Sequence, residues 1–217
     1  MSSALDVERL RKEYTMHGLR RSDLASDPFV QFNAWFEEAI RTGGPHEPNA
    51  MSLATATPDG VPSVRVVLLK GFGPEGFLFF TNYDSRKGRH LAANPRAALN
   101  FHWSWLERQV AIEGDVSKVS REKSEEYFRR RPLGSRYGAL ASQQSRPIEG
   151  RTELERRLAE VQARYGQDPP TPENWGGYRV RPYRFEFWQG RENRLHDRFL
   201  YLPALGGGGW QIQRLSP

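Results

Sequence analysis

The stretch FWQGRENRLHDRFLY, Phe187 to Tyr201, sets Arg191, Arg194, His196 and Arg198 beside Trp188, with only Glu192 and Asp197 to offset them. If its second half is a strand, Arg194, His196 and Arg198 share one face, because side chains alternate with period two. Three charged or chargeable groups on one face repel one another. Such a face is either solvated or built to meet an anion. In a cationic setting, His196 is expected to be neutral at neutral pH, since neighbouring cations disfavour its charged form.

Other cations gather in separate places. Arg65 opens the apolar run RVVLLK and Lys70 closes it. In a regular strand these two point to opposite faces. Two anions could engage them, or one anion with the help of a bulge; alternatively each simply flanks a buried strand. In TNYDSRKGRH, Arg86 and Lys87 occupy the first turn of a predicted helix, where the macrodipole favours anions. Free N–H groups with Arg and Lys would cradle a phosphate, and a plain exposed basic turn is the other reading. In SREKSEEYFRRRPLGS, Tyr127 and Arg131 fall on one helix face, and Ser135 follows a Pro-Leu-Gly bend. A phenol, a guanidinium and a hydroxyl could converge on one phosphate dianion, or the helix could be merely a charged surface. Gln109, at the start of an apolar strand, could donate and accept at the edge of a heterocycle, or sit at an exposed strand end. The histidines at 17, 46, 90, 102 and 196 have no paired metal spacing, so no metal site is expected. No Ser/His/Asp order suggests a hydrolase.

The elements that must position these groups can be read from pattern. Residues 4–14 read as a short charged helix. Phe29, Phe32, Trp35, Phe36, Ala39 and Ile40 recur at helical spacing between a cap at Ser26 or Asp27 and a stop at Gly43. AMSLATAT, VPSVRVVLLKGF and FLFFTN, joined by PDG and GPEG turns, read as three consecutive antiparallel strands. A short helix follows, from a Ser85 cap to Asn94-Pro95. RAALNFHW and RQVAIEGDVSKVS are strands, 120–131 and 151–165 are helices, and three strands close the chain, the last two around GGGG. Helices at the N-terminus and in one middle block, with six to eight short strands, make an α+β class built on an antiparallel barrel or sandwich. No βαβ alternation, GxGxxG or GxxxxGK[ST] occurs, which argues against Rossmann and P-loop sites.

The chain has 217 residues, net charge +6, six Trp, eight Tyr, twelve Phe and no Cys. Disulfides and thiolate chemistry are excluded. The absence of Cys fits a reducing, cytoplasmic setting. No apolar h-region or long apolar run predicts a signal or a membrane span. A basic surface with interleaved aromatics permits nucleic-acid binding, but no RNP-like, KH-like or helix-turn-helix pattern supports it. Composition and spacing lead to a binder of phosphorylated, aromatic small molecules.

RVVLLKGF, FFTNYDSRKGRHLAANPRAALNFHW, LERQVAIEG, YFRRRPLGS and FWQGRENRLHDRFLY, in that order and ending in RLSP, resemble the pyridoxine (pyridoxamine) 5′-phosphate oxidase family. The resemblance runs from LRKEYTMHGLRRSDL to Pro217. It implies an α+β, mostly antiparallel, FMN-binding split β-barrel with flanking helices. An N-terminal helical lid would span 1–25 and the oxidase domain 26–217. A homodimer would hold flavin at its interface. The implied activity is oxidation of pyridoxine 5′-phosphate or pyridoxamine 5′-phosphate to pyridoxal 5′-phosphate, with O2 as acceptor and H2O2 as product. FMN would meet Arg65, Val66, Val67, Leu68, Leu69, Lys70, Phe80, Thr81, Arg86, Lys87, Gln109, Gln144, Ser145, Trp188 and Arg198. Substrate would meet Arg11, Tyr14, Lys70, Tyr127, Arg131, Ser135, Arg194 and His196. Arg194 and His196 would be the catalytic pair at the pyridine ring. The resemblance implies neither a metal, a nucleic acid nor a membrane partner. Phe80 stands where relatives often have Tyr, so any contact of that hydroxyl would be lost. Another reductase on the same barrel and a non-enzymatic binder remain the competing readings.

Overall fold

The computed structural model describes residues 13–217. Arg11 and most of the predicted 4–14 helix lie outside them; Glu13 and Tyr14, within them, are not helical. Five helices and nine strands follow in the order α1 (Pro28–Thr42), β1 (Ala50–Ala56), β2 (Pro62–Leu68), β3 (Gly71–Gly73), β4 (Gly76–Asn82), α2 (Arg86–Ala93), β5 (Arg96–Trp103), β6 (Arg108–Lys118), α3 (Arg121–Arg130), α4 (Leu133–Ala141), α5 (Arg151–Tyr165), β7 (Trp175–Gln189), β8 (Asp197–Pro203) and β9 (Trp210–Leu215). The class is α+β, as expected. No described helix is long and apolar enough to cross a membrane.

Local signals fix many boundaries. The Asp27 carboxylate accepts the Phe29 N–H at 2.8 Å, Pro28 fills the first helical position, and Gly43 ends α1 at φ 60°. The Ser85 side chain accepts the Gly88 N–H at the start of α2. Helix α4 is not in the sequence reading, because Pro132, Gly134 and Gly138 are weak helix formers. Its register is held from outside: the Tyr137 hydroxyl donates to the Gly166 carbonyl just beyond α5.

The hydrogen-bonded strand order is β2-β1-β5-β6-β7-β4-β3, with β8 on β7 and β9 on β8. The three consecutive antiparallel strands expected here are present, but the second is split into β2 and β3. β1 and β2 form a hairpin, but β4 pairs with β3 and β7. The cause is a change of partner within RVVLLKGF. The Leu69 N–H donates to Asn49 O and the next N–H, of Lys70, donates to Leu78 O, each at 2.8 Å.

Two compact units emerge. The first comprises the described residues up to Pro48, Phe101–Ala111 and Arg184–Pro217; the second comprises Asn49–Asn100 and Ile112–Tyr183. In the first, Phe32, Trp35 and Ala39 of α1 are buried, and Phe32 and Trp35 meet Phe101 and Phe187 edge-on at 5.0 and 5.2 Å. Each such buried ring contributes about 1.5–3 kcal/mol. Ile40, expected on that apolar face, is 55% exposed. In the second unit, Met51, Leu53, Phe77, Phe79, Leu99, Ile112 and Val180 are buried.

Candidate functional site

The second unit contains a cavity of about 1070 Å³. Arg65, Lys70, Arg86, Lys87, Arg130 and Arg131 line it, and no Asp or Glu does. Arg65 projects from β2. Arg86 and Lys87 come from the first turn of α2, and Ser135 from the first turn of α4. Arg65 and Lys70 were expected to diverge, yet both line this cavity, because the strand breaks between them at the change of partner.

Arg65 and Lys87 are held by neutral acceptors, and Arg130 pairs with Glu126. Arg65 Nη1 donates to Leu53 O and Thr55 Oγ1, both at 2.9 Å, and Nη2 donates to Ser63 Oγ. Burial, then the nearby Arg86, holds its guanidinium below the usual arginine value. Lys87 is only 8% exposed. Its Nζ donates to Gln144 Oε1 at 2.9 Å, Thr81 Oγ1 at 3.1 Å and Ser85 Oγ at 3.2 Å. Burial, and then Arg65, push its ammonium down to about 8. Thr81, Gln144 and Ser145 line the cavity, Ser145 in the left-handed region at φ 69°.

Arg131 stands apart from the other cations of the cavity. Its Nη1 is buried and has no hydrogen-bond partner. Burial holds its guanidinium below the usual value, with Tyr127 acting weakly the other way. The guanidinium carbon lies 4.8 Å from the Trp175 ring centre. Phe80 stacks on Tyr127 at 4.0 Å and on Trp175 at 5.5 Å, giving the cavity an aromatic wall. Tyr127 and Arg131 do not share a helix face as predicted. α3 ends at Arg130, and Arg131 is its extended C-cap. Trp175 was missed by the sequence reading, since a ring at the start of a strand leaves no periodic signal. Among the described residues, Arg65, Lys70, Arg86, Lys87 and Arg131 have no carboxylate partner.

The first unit holds the remaining candidates. β8 begins only at Asp197, so Arg194, His196 and Arg198 do not alternate along one strand face. Asn193 and Arg194 are both left-handed, at φ 54° and 62°, and this turn carries Arg194 and His196 ahead of the strand. Only Arg198 is in the sheet, opposite Trp188. His196 Nδ1 accepts the Arg191 N–H at 3.1 Å, so that nitrogen carries no proton. Desolvation, then Arg194, lower the His196 pKa, and Asp197 opposes them. The ring lies 4.6 Å from Trp188, and Tyr14 meets both rings edge-on at 5.6 Å. Arg198 is already engaged: its Nε donates to Glu186 Oε1 at 2.8 Å, and that hydrogen bond is the main cause of its raised pKa. Gln109, half-buried in β6, also belongs to this unit. Among the described residues no group of three His, Asp or Glu gathers as a metal would need.

Comparison with known proteins agrees with the geometry. A family model described as "Pyridoxamine 5'-phosphate oxidase" matches residues 36–165. A second, the "Pyridoxine 5'-phosphate oxidase C-terminal dimerisation region", matches residues 175–217 and supports a homodimer. The chain is 59% identical to a pyridoxine/pyridoxamine 5′-phosphate oxidase of Rubrobacter xylanophilus, covering 98% of this chain and 97% of that one. It is 58% identical to the Bordetella petrii protein of the same name, covering 98% and 100%. The crystal structure of PhzG from Burkholderia lata, in complex with tetrahydrophenazine-1-carboxylic acid, superposes with TM-score 0.86 at 30% identity, over 93% of this chain and 99% of that one. A pyridoxamine 5′-phosphate oxidase-related, FMN-binding protein of Nostoc punctiforme shares the fold, with TM-score 0.70 at 18% identity, over 89% and 100%. With the antiparallel sheet and flanking helices, these likenesses make the fold a split β-barrel, and the chain is an oxidoreductase that belongs to the pyridoxine/pyridoxamine 5′-phosphate oxidase family.

Proposed function

We propose that the chain is an FMN-dependent oxidase converting pyridoxine 5′-phosphate or pyridoxamine 5′-phosphate to pyridoxal 5′-phosphate, as a homodimer with flavin at the interface. The observation that carries this reading is the cavity in which Arg65, Lys70, Arg86, Lys87 and Arg131 have no carboxylate partner among the described residues, above all the buried, unpartnered Nη1 of Arg131. A buried cation without a counter-ion is costly, so the arrangement suits anions that arrive with the ligands.

The donor set fits FMN. Arg65, Arg86 and Lys87 would hold its phosphate and ribityl chain. Residues 66–69, Phe80, Thr81, Gln144 and Ser145 would line it, with Gln109, Trp188 and Arg198 as further contacts. Lys70, Tyr127, Arg131 and Ser135 would clamp the substrate phosphate. When bound, FMN would supply the two-electron acceptor, at N5, for hydride from substrate C4′, with O2 as the final acceptor and H2O2 as its product. The chain's own residues bind and orient: Arg194 over the pyridine ring, His196 near the ring hydroxyl, and the segment up to residue 25 as a lid carrying Arg11 and Tyr14. Fixing both phosphates holds the reacting atoms together, a proximity effect. Neutral His196, with Nδ1 tied to Arg191, presents Nε2–H as a donor.

The test is spectroscopic. Purified protein loaded with FMN should bleach when pyridoxine 5′-phosphate is added without oxygen. It should recover in air with pyridoxal 5′-phosphate and H2O2 formed. A flavin that stays oxidised would move the chain to another reductase activity on this barrel; failure to bind FMN at all would leave a non-enzymatic binder.

A further inference from the structure

Glu107 sits in the turn between β5 and β6, 3% exposed and with φ 54°. A buried carboxylate needs donors, and left-handed backbone at a residue other than glycine persists only where its surroundings require it. Both features have a reason here. The Glu107 Oε2 accepts the Met16 N–H at 3.0 Å. The Glu107 carbonyl accepts the Gly190 N–H at 2.7 Å and the Gln189 side-chain amide at 3.2 Å. Gly190 opens the turn that carries Arg191, Arg194 and His196. Two residues before Met16, Tyr14 packs on the rings of Trp188 and His196. Tyr14 also lies against Gly190, where an added Cβ would come within 2.8 Å of its ring. One residue thus ties the N-terminal segment by its side chain and the His196 turn by its backbone.

We infer that Glu107 is a positioning residue: its carboxylate seats the Met16 amide so that Tyr14 stays docked on the Trp188–His196 edge. The kinetic part of this inference rests on the proposed substrate-side roles of Tyr14 and His196; the docking part does not. Two variants separate side chain from backbone. Glu107→Gly accepts the left-handed φ without strain and keeps the carbonyl bonds to Gly190 and Gln189 while removing the side chain. Glu107→Gln keeps an oxygen that can accept from Met16.

In the FMN-loaded full-length chain, Glu107→Gly should raise KM for pyridoxine 5′-phosphate about tenfold, with kcat within about threefold, the pattern of lost binding rather than lost chemistry. Tryptic cleavage within the N-terminal segment should quicken about tenfold as the docking of Tyr14 and Met16 is lost. Glu107→Gln should return both to within about threefold of the parent, since a neutral acceptor still satisfies the amide. Unchanged cleavage and KM in Glu107→Gly would overturn the inference, as would equal impairment in Glu107→Gln. If the chain proves to have no oxidase activity, the cleavage rates still decide whether Glu107 seats the segment.

Discussion

The cavity of the second unit and the C-terminal strands of the first treat positive charge in opposite ways. In the cavity of the second unit, Arg65 and Lys87 meet hydroxyls, an amide and a carbonyl, and Arg131 meets a ring; these three, with Lys70 and Arg86, have no carboxylate partner among the described residues. In the first unit, Arg198 pairs with Glu186 at 2.8 Å, and Arg214 and Arg191 reach Asp197 at 2.7 and 3.9 Å. A chain that neutralises cations internally in one place could do so in another. Where it does not, the folded protein carries an uncompensated desolvation cost, as expected of a site for the anionic ligands proposed above.

The comparison breaks most visibly at Arg131. Arg131→Met should raise KM for the phosphorylated substrate by roughly 10²- to 10³-fold, as for one partner removed from a buried charge pair. The thermal midpoint of the ligand-free chain should hold or rise, because an uncompensated buried charge has gone. A large fall in midpoint with KM unchanged would make Arg131 a structural residue and erase the contrast.

Lys87 sharpens it through pH. Its ammonium is held at about 8 in the ligand-free fold, against about 10.4 unfolded. Below that window both states are charged. Across it the unfolded chain binds the extra proton, so stability rises with pH from about 8 to about 10.4, by on the order of 1–3 kcal/mol. Comparing parent with Lys87→Met in thermal melts across this range isolates the effect, and the slope should be missing from the variant. Filling the cavity with FMN should flatten the parent's slope too, by keeping the ammonium charged.

The smallest effect belongs to the paired side. Glu186→Gln and Arg198→Met should each lower the midpoint by about 2–4 °C, in keeping with a half-exposed pair worth about 1 kcal/mol. The double variant should lose little more than either alone, because both remove one shared interaction. Additive losses in the melts would mean that the two side chains act separately.

Much of this was legible because the signals are local. Asp27, Gly43 and Ser85 mark helix ends by chemistry that involves only their own turn. Arg86 and Lys87 were placed at a helix start for the same reason. What was not legible depended on distant partners. Helix α4 is held from beyond α5, Trp175 joins Phe80 and Tyr127 across the chain, and the Arg194–His196 strand gives way to a left-handed turn tied through Gly190 to Glu107.

The sequence by itself determined the residue types, the capped helices, the α+β class and, through long ordered blocks, the family. Tertiary structure decided which cations meet. A period-two strand sends Arg65 and Lys70 apart, yet Leu69 bonds to Asn49 and Lys70 to Leu78, and that exchange of partners turns both charges into one cavity. Alternation is a property of a single paired strand; where the pairing changes, the long-range hydrogen bonds set the direction of each side chain.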